Sequence, residues 1–217
     1  MDHSQNATGH HGDASHAQND LQQERVLEPR DGTCQLRGFG MLNSLSFAHQ
    51  KGGEQGIKGA LKRLSEADQE TLIHLKRLRW YPFALHCRLL RAVDAEVGTG
   101  DLSVLHDLGY HSASRDASAL FRPFLRLGHP GWVIDVSTKL WRFFHREGKW
   151  ELERTPLELV AKLHDFEEAD MAFCISFIGY VTGLMELSGA QDVEGTHVAC
   201  RSTGAPHCVF TVRWSAK

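Results

Sequence analysis

Apolar residues recur at steps of three and four along most of the chain, which is the spacing of one buried face of an α-helix. Ser65, with Asp68 three residues later, is typical of a helix start, and Gly189 is placed to end the longest apolar segment. The pattern predicts six helices, over "EQGIKGALKRLS", "EADQETLIHLKRLR", "FALHCRLLRAVDAEVG", "LSVLHDLGYHSASRDASALFRPFLRLG", "GWVIDVSTKLWRFF" and "DFEEADMAFCISFIGYVTGLMELSGA".

Near the end of the chain, apolar residues recur at every second position, which is the spacing of one face of a β-strand. "CVFTVRW" alternates strictly, so that Phe210, Val212 and Trp214 share one face of a predicted strand. "VEGTHVAC" precedes it across the turn-rich loop "RSTGAPH", and "KWELERT" is a further predicted strand. Helices that come early and an antiparallel pair that comes late predict an α+β fold, with N-terminal helices and a C-terminal antiparallel sheet packed on the long helix.

The first 35 residues differ in composition from the rest. They contain almost no large apolar side chain, so burial cannot repay the entropy of ordering them. They carry four histidines, which would give weak, adventitious metal binding: His3, His10, His11 and His16. We expect residues 1–35 to form a disordered, His-rich tail and residues 36–217 to form a single domain of ordinary size.

Charge and hydropathy narrow the possible partners. The net charge is −3 and no basic motif stands out, so we expect no nucleic-acid binding. No run of about 18 apolar residues occurs, so we expect no membrane span, and the N-terminus lacks the apolar run of a signal peptide. A cytoplasmic location follows, where the five cysteines would stay reduced and would not build a disulfide framework.

Three of those cysteines fall in the last quarter of the chain. Cys174, Cys200 and Cys208, together with His197, are a ligand set that suits zinc. A redox pair, or thiols that are simply buried in the core, are the alternatives. The metal site meets a geometric objection, because residues three apart in a straight strand, such as His197 and Cys200, face opposite sides. A bulge would remove the objection, and His207 is a competing fourth ligand.

The strings "GYVTGLMELSGA…HVACRSTGAPHCVFTVRW" and "LGYHSASRDA" resemble the 4-vinyl reductase domain family, over roughly Leu36 to Trp214. This bacterial family is related to the sensor domains of phenol-responsive activators and to haem–nitric-oxide-binding folds. The resemblance implies a structural zinc held by four residues, with histidine in place of the family's acidic ligand: Cys174, His197, Cys200 and Cys208. It also implies a ligand pocket near His129, Trp132 and Trp141.

Haem and catalysis are not expected. In "YHSASR" the arginine, Arg115, comes one residue later than in the propionate-binding motif of haem–nitric-oxide-binding domains. In a helix this turns the side chain by about 100°. A proximal ligand would have to be an isolated histidine such as His86 or His106. No serine-hydrolase, phosphate-loop or metalloprotease motif is present.

The sequence therefore predicts a non-enzymatic, small-molecule-binding or regulatory module with a structural zinc site. Its ligand would be a hydrophobic or aromatic small molecule. Its signal would pass to a separate protein partner, through a homodimer surface as in the related domains. The alternatives are a protein-interaction scaffold without a ligand and, third, an enzyme that modifies a tetrapyrrole.

Overall fold

The computed structural model describes residues 34–117 and 130–215. In chain order the elements are β1 (Gln35–Arg37), α1 (Phe39–Lys62), α2 (Glu66–Ile73), β2 (Trp80–Pro82), α3 (Phe83–Val97), α4 (Val104–Asp116), α5 (Pro130–Phe144), β3 (Lys149–Arg154), β4 (Glu158–His164), α6 (Met171–Leu187), β5 (Gln191–Ala199) and β6 (Cys208–Ser215). The predicted α+β class is confirmed, because helices dominate the first half and an antiparallel sheet closes the second.

The main sheet has four strands in the order β3-β4-β6-β5, and every neighbouring pair is antiparallel. Phe210 and Val212 of β6 are buried while Arg213 is exposed, as the alternation of this strand predicts. Strand β4 was not predicted, although Leu159 and Leu163 alternate with polar residues and are buried in the same way. Since β4 lies between β3 and β6, it joins the predicted strands into one sheet.

Three predicted helix boundaries are wrong. The helix predicted to start at Glu54 starts at Phe39. Helix α2 ends at Ile73 and does not continue to Arg79, because residues Trp80–Pro82 pair with β1 as a two-stranded ladder. The acidic run that begins at Asp165 precedes α6 and does not form its first turns. Only Asp170 serves the helix, as an N-cap whose carboxylate accepts from Ala172 N at 2.8 Å.

Helices α4 and α6 cross at backbone contact. A Cβ atom built on Gly109 of α4 would overlap the carbonyl oxygen of Ser176, and one built on Gly179 of α6 would overlap that of His106. One turn further along α6, Gly183 lies against Ala113. Small residues at these positions let the two helix backbones touch, which larger side chains would prevent.

One hydrophobic core runs through the described residues, from β1 and α1 at one end to β6 at the other. Residues 1–33 of the predicted tail and residues 118–129 lie outside the described part of the chain. The division into a tail and a single domain over 36–217 therefore stays a prediction. No helix among the residues that the structure describes has the length and the apolar character needed to cross a membrane.

The helix crossing predicts that Gly179→Ala destabilises the protein. The added methyl group meets the backbone of α4, which cannot rotate away, and overpacking of this kind costs about 1–3 kcal/mol. Gly52→Ala is the control, since the nearest neighbour of its Cβ is one methyl group of Val97 at 3.2 Å and alanine favours a helix by up to about 1 kcal/mol. Urea denaturation gives both free energies of unfolding. Equal stabilities for the two variants would show that the helices are not in backbone contact.

Candidate metal centre and ligand cavity

Four potential ligands converge where α6 meets the last hairpin. Cys174 lies in the first turn of α6, His197 near the end of β5, Cys200 just after β5 and Cys208 at the start of β6. Their ligand atoms all lie within 4.8 Å of one another. Cys174 Sγ is 3.9 Å from Cys200 Sγ and 3.6 Å from Cys208 Sγ. The structure thus brings together the four residues that the sequence singled out.

A β-bulge removes the geometric objection to this cluster. His197 pairs with Phe210, whereas Ala199 pairs with Val209, so Val198 is an extra residue in β5 and is 59% exposed. Because the bulge shifts the alternation of side chains, His197 and Cys200 can face the same side. The ring of His197 stacks on Phe210 with the centroids 4.8 Å apart, and its buried Nε2 atom has no hydrogen-bond partner.

The loop between β5 and β6 surrounds the sulfur atoms with donors. The backbone N–H of Arg201 donates to Cys208 Sγ at 3.5 Å, and Ser202 Oγ lies 2.9 Å from Cys200 Sγ. Hydrogen bonding to Cys200 and Cys208 raises the pKa of the Cys174 thiol, and the contact with Cys174 lowers the pKa of Cys200. The competing ligand, His207, is not in the cluster; its ring packs 4.6 Å from that of His164.

A largely apolar cavity of about 170 Å³ lies between α6, the main sheet and helices α1 and α5. Phe173, Phe177 and Trp150 are among the aromatic residues that line it. Of the predicted pocket residues, Trp141 is buried and lines the cavity. His129 lies outside the described residues, and Trp132 lies in α5 with a side chain that is not described.

Two buried imidazoles line this cavity. The Nδ1 atoms of His86 and His145 have no hydrogen-bond partner. Burial lowers the pKa of His86 to about 4. Burial, with a smaller contribution from His86, lowers the pKa of His145 to about 3. Both rings are therefore neutral at pH 7. His145 was not singled out from the sequence, because it follows α5 and meets His86 of α3 only in the fold.

A second polar group on the cavity wall is built from three elements. The carboxylate of Asp116 accepts hydrogen bonds from Asn43 Nδ2 at 3.1 Å and from the Tyr180 hydroxyl at 3.2 Å. Burial raises the pKa of Asp116, against the effect of these donors. Sequence reasoning included Asp116 only within the string "LGYHSASRDA" and did not group it with Asn43 and Tyr180, since these residues lie 64 or more residues apart in the chain.

The string "YHSASR", which was compared with the propionate-binding motif of haem–nitric-oxide-binding domains, lies on α4. Tyr110 points away from the cavity and donates to Glu186 at 2.8 Å. Ser112 lines the cavity, and Arg115 Nε donates to the cavity residue Asn43 at 3.2 Å. Of the three residues, only Ser112 lines the cavity, and Arg115 is connected to it through Asn43.

Comparisons with known proteins show a fold and no close relative. No protein-family profile matches the sequence, and no curated protein matches it. An H-NOX protein from S. oneidensis matches with a TM-score of 0.65 at 12% identity, over 84% of this chain and 97% of that one. An H-NOX protein from K. algicida gives 0.60 at 12%, over 84% and 98%. An oxygen-binding H-NOX domain related to soluble guanylate cyclases gives 0.56 at 6%, over 83% and 96%.

The chain therefore has the H-NOX fold. This confirms the predicted relation to haem–nitric-oxide-binding folds. Membership of the 4-vinyl reductase family finds no support in these comparisons.

The prediction that the protein takes no haem is wrong. It was drawn from one local string and from the isolation of His86 and His106 in the sequence. The solved structures with this fold include proteins described by the ligation state of their Fe(II) and by the redox potential of their haem. In the fold, moreover, His86 is not isolated, because His145 lines the same cavity.

Proposed function

We propose that this chain is a non-enzymatic sensor, which binds a small molecule in the cavity and signals to a separate protein partner. The cavity carries the proposal, because an apolar space with a few buried polar groups at its wall is the form that ligand sites take. The H-NOX fold supports it, since one solved neighbour is described as oxygen-binding and as related to soluble guanylate cyclases.

The chemistry of the cavity supports binding rather than catalysis. Ser44 Oγ lies 3.5 Å from His86 Nε2, which is the kind of pair that could activate a nucleophile. However, the Ser44 hydroxyl donates to Gly40 O at 2.9 Å, so its proton is already engaged. The predicted alternatives are a scaffold without a ligand, which the ligand screen below distinguishes from a sensor, and an enzyme that modifies a tetrapyrrole.

The size of the cavity favours a ligand with a single aromatic ring. Its volume of about 170 Å³ is close to that of an engineered apolar cavity of roughly 150 Å³ that binds benzene. The Asp116 group would meet a polar substituent on such a ring, because Asn43, Asp116 and Tyr180 form a hydrogen-bonded polar group on a wall that is mostly apolar. This agrees with the hydrophobic or aromatic ligand that the sequence predicts.

We therefore expect benzene, toluene or phenol to raise the melting temperature of the full chain. Ligand at a hundred times its Kd adds about 2.7 kcal/mol to the free energy of unfolding, which is roughly 5–10 °C for a domain of this size. Differential scanning fluorimetry measures the shift. Ala161→Leu, at a buried position on the cavity wall, should abolish it, and Ala67→Leu, at an exposed position of α2, should leave it intact. If no ligand shifts the melting temperature and the chain binds a protein partner tightly, the results would favour a protein-interaction scaffold without a ligand.

Haem is the second candidate ligand, and the residues present fit its need for an axial ligand. His86 and His145 offer neutral imidazoles with a free ring nitrogen on the cavity wall. Bound haem would supply an iron that takes up diatomic gases. The cavity would have to widen, since about 170 Å³ is less than the roughly 300–1,000 Å³ of typical ligand pockets.

Titration of the full chain with haemin tests this candidate. We expect a Soret band that saturates at one equivalent and that is lost or shifted in His86→Ala or in His145→Ala. His106→Ala is the matched control, because His106 lies on α4 and does not line the cavity. A band that is absent, or that survives in both cavity variants, would remove haem from the candidates without affecting the smaller ligands.

We also propose a structural zinc ion at Cys174, His197, Cys200 and Cys208. Zinc–sulfur bonds of about 2.3 Å in a tetrahedron place the sulfur atoms about 3.8 Å apart, and the two short sulfur distances here are 3.6 and 3.9 Å. Donors to thiolate sulfur, such as Arg201 N, are the usual surroundings of such a site. A set of four protein ligands leaves no open position, so the ion would be structural.

Metal analysis by mass spectrometry tests the zinc site. All variants are made in the full chain with the four tail histidines changed to asparagine, so that the tail cannot contribute. We expect about one zinc per chain, lost in Cys174→Ser and Cys200→Ser together with several kcal/mol of stability, and retained in the control His207→Ala. If zinc is retained in His197→Ala but lost in His207→Ala, the fourth ligand is His207 and not His197. A zinc-free parent protein, with cysteine variants of unchanged stability, would make these residues ordinary core thiols.

A further inference from the structure

Guanidinium groups stack on aromatic rings at the surface beside the β1–β2 ladder. The guanidinium of Arg37 lies 4.7 Å from the ring centroid of Trp80 and 4.5 Å from that of Phe143. The guanidinium of Arg146 lies 4.8 Å from Trp80. Two more arginines complete the group, since Arg77 stacks 5.2 Å over Phe39 and Arg142 donates to the carbonyl oxygen of Arg146. We call the set Arg37, Arg77, Arg142, Arg146, Trp80 and Phe143 the arginine–aromatic patch.

Among the residues that the structure describes, none of the four patch arginines forms an ion pair with a carboxylate, although Arg77 lies near enough to Asp116 to lower the pKa of that carboxyl group. The arginine ion pairs of that part of the chain involve Arg63, Arg88, Arg91, Arg154, Arg201 and Arg213. Glu147, which follows Arg146, instead accepts from the backbone N–H of Gln35 at 2.8 Å. Four arginines without an ion pair in the described part of the chain therefore lie beside the β1–β2 ladder of a protein whose net charge is −3.

Apolar surface accompanies these charges. Phe143 is 37% exposed, and Leu78, whose carbonyl oxygen accepts from Arg37 at 3.0 Å, is 56% exposed. Arginine and aromatic residues are enriched at the energetic centres of protein–protein interfaces, where lysine is depleted. The composition of the patch is thus that of a protein-binding surface and not only of a solvated charged face.

We propose that the arginine–aromatic patch docks an acidic surface of a separate protein partner. Stacking holds the guanidinium planes in fixed orientations, which suits bidentate hydrogen bonding to carboxylates. The guanidinium groups of Arg37 and Arg146 both stack on Trp80, so this ring is less available to the bases of a nucleic acid, which would need a free face for stacking. Carboxylates of a folded partner are therefore favoured over phosphates.

The position of the patch connects it with the cavity. Arg37 contributes to both, and Phe39 and Phe144, which pack against Phe143, also line the cavity. A change in the packing of the cavity would thus shift residues that contact the patch. The acidic surface would belong to the protein partner of the proposed sensor. The docking proposal rests on the proposed function only because it assumes that such a partner exists. Docking itself needs no cavity ligand.

Fluorescence anisotropy of the full chain with a labelled peptide, (Glu-Glu-Leu)₄, tests the docking surface. We expect binding that weakens as salt rises, because the charges are exposed. Arg142→Glu combined with Arg146→Glu should weaken binding by about tenfold or more, the equivalent of about 1.4 kcal/mol. Lys58→Glu combined with Lys62→Glu, at exposed positions of α1, makes the same change in net charge and should alter the Kd by less than about twofold.

Each other result overturns the proposal. Absence of binding at low salt, or equal weakening by both pairs of substitutions, would show that the patch is not a specific site. Tighter binding of a single-stranded oligonucleotide or of phosphatidylglycerol vesicles than of the peptide, lost in the arginine variant, would assign the patch to phosphates. Self-association in sedimentation, lost in the same variant, would assign it to a second copy of the chain. None of these results depends on whether benzene, phenol or haemin binds, so the proposed sensor function is judged separately.

Discussion

The backbone contact between α4 and α6 is the constraint on which the rest of the structure depends. It exists because Gly109 and Gly179 present no side chain to the opposite helix. With the two axes fixed, Asp116 of α4 and Tyr180 of α6 lie at the cavity wall, while Tyr110 of α4 reaches Glu186 on the outside. Asp116 of α4 and Tyr180 of α6 meet at 3.2 Å for this reason, and a wider crossing would separate them.

Helix α6 also links the cavity to the sulfur cluster. Phe173 lines the cavity, while its neighbour Cys174 contacts Cys200 and Cys208. The cluster therefore ties the last hairpin to the start of α6, and the hairpin carries Phe210 and Val212 into the cavity wall. Three thiols gathered in a buried space are costly to ionise without a nearby cation.

Sequence reasoning succeeded where a feature is periodic or local. The presence of the helices and the alternation of β6 were predicted from spacing, and the sequence singled out Cys174, His197, Cys200 and Cys208, which the fold brings together. It failed where the feature is assembled across the fold. The pairing of β2 with β1 ended α2 early. The cavity takes its polar groups from separate helices. The arginine–aromatic patch joins segments about 40 and 60 residues apart, so it forms no basic motif in the sequence. The exclusion of haem rested on one local string and on histidines taken as isolated, whereas His86 and His145 come to the same cavity only in the fold.

The bulge at Val198 has an effect on the outside of the molecule as well. Strand β5 is an edge of the main sheet, and an edge strand offers a row of unpaired N–H and C=O groups on which a second chain can add a strand. The register shift between His197 and Ala199 interrupts that row, and a further shift lies between Gln191 and Glu194. An incoming strand would find neither a straight partner nor an even spacing of hydrogen bonds. The distortion that lets a histidine reach the thiols thus also protects the protein against aggregation through this edge.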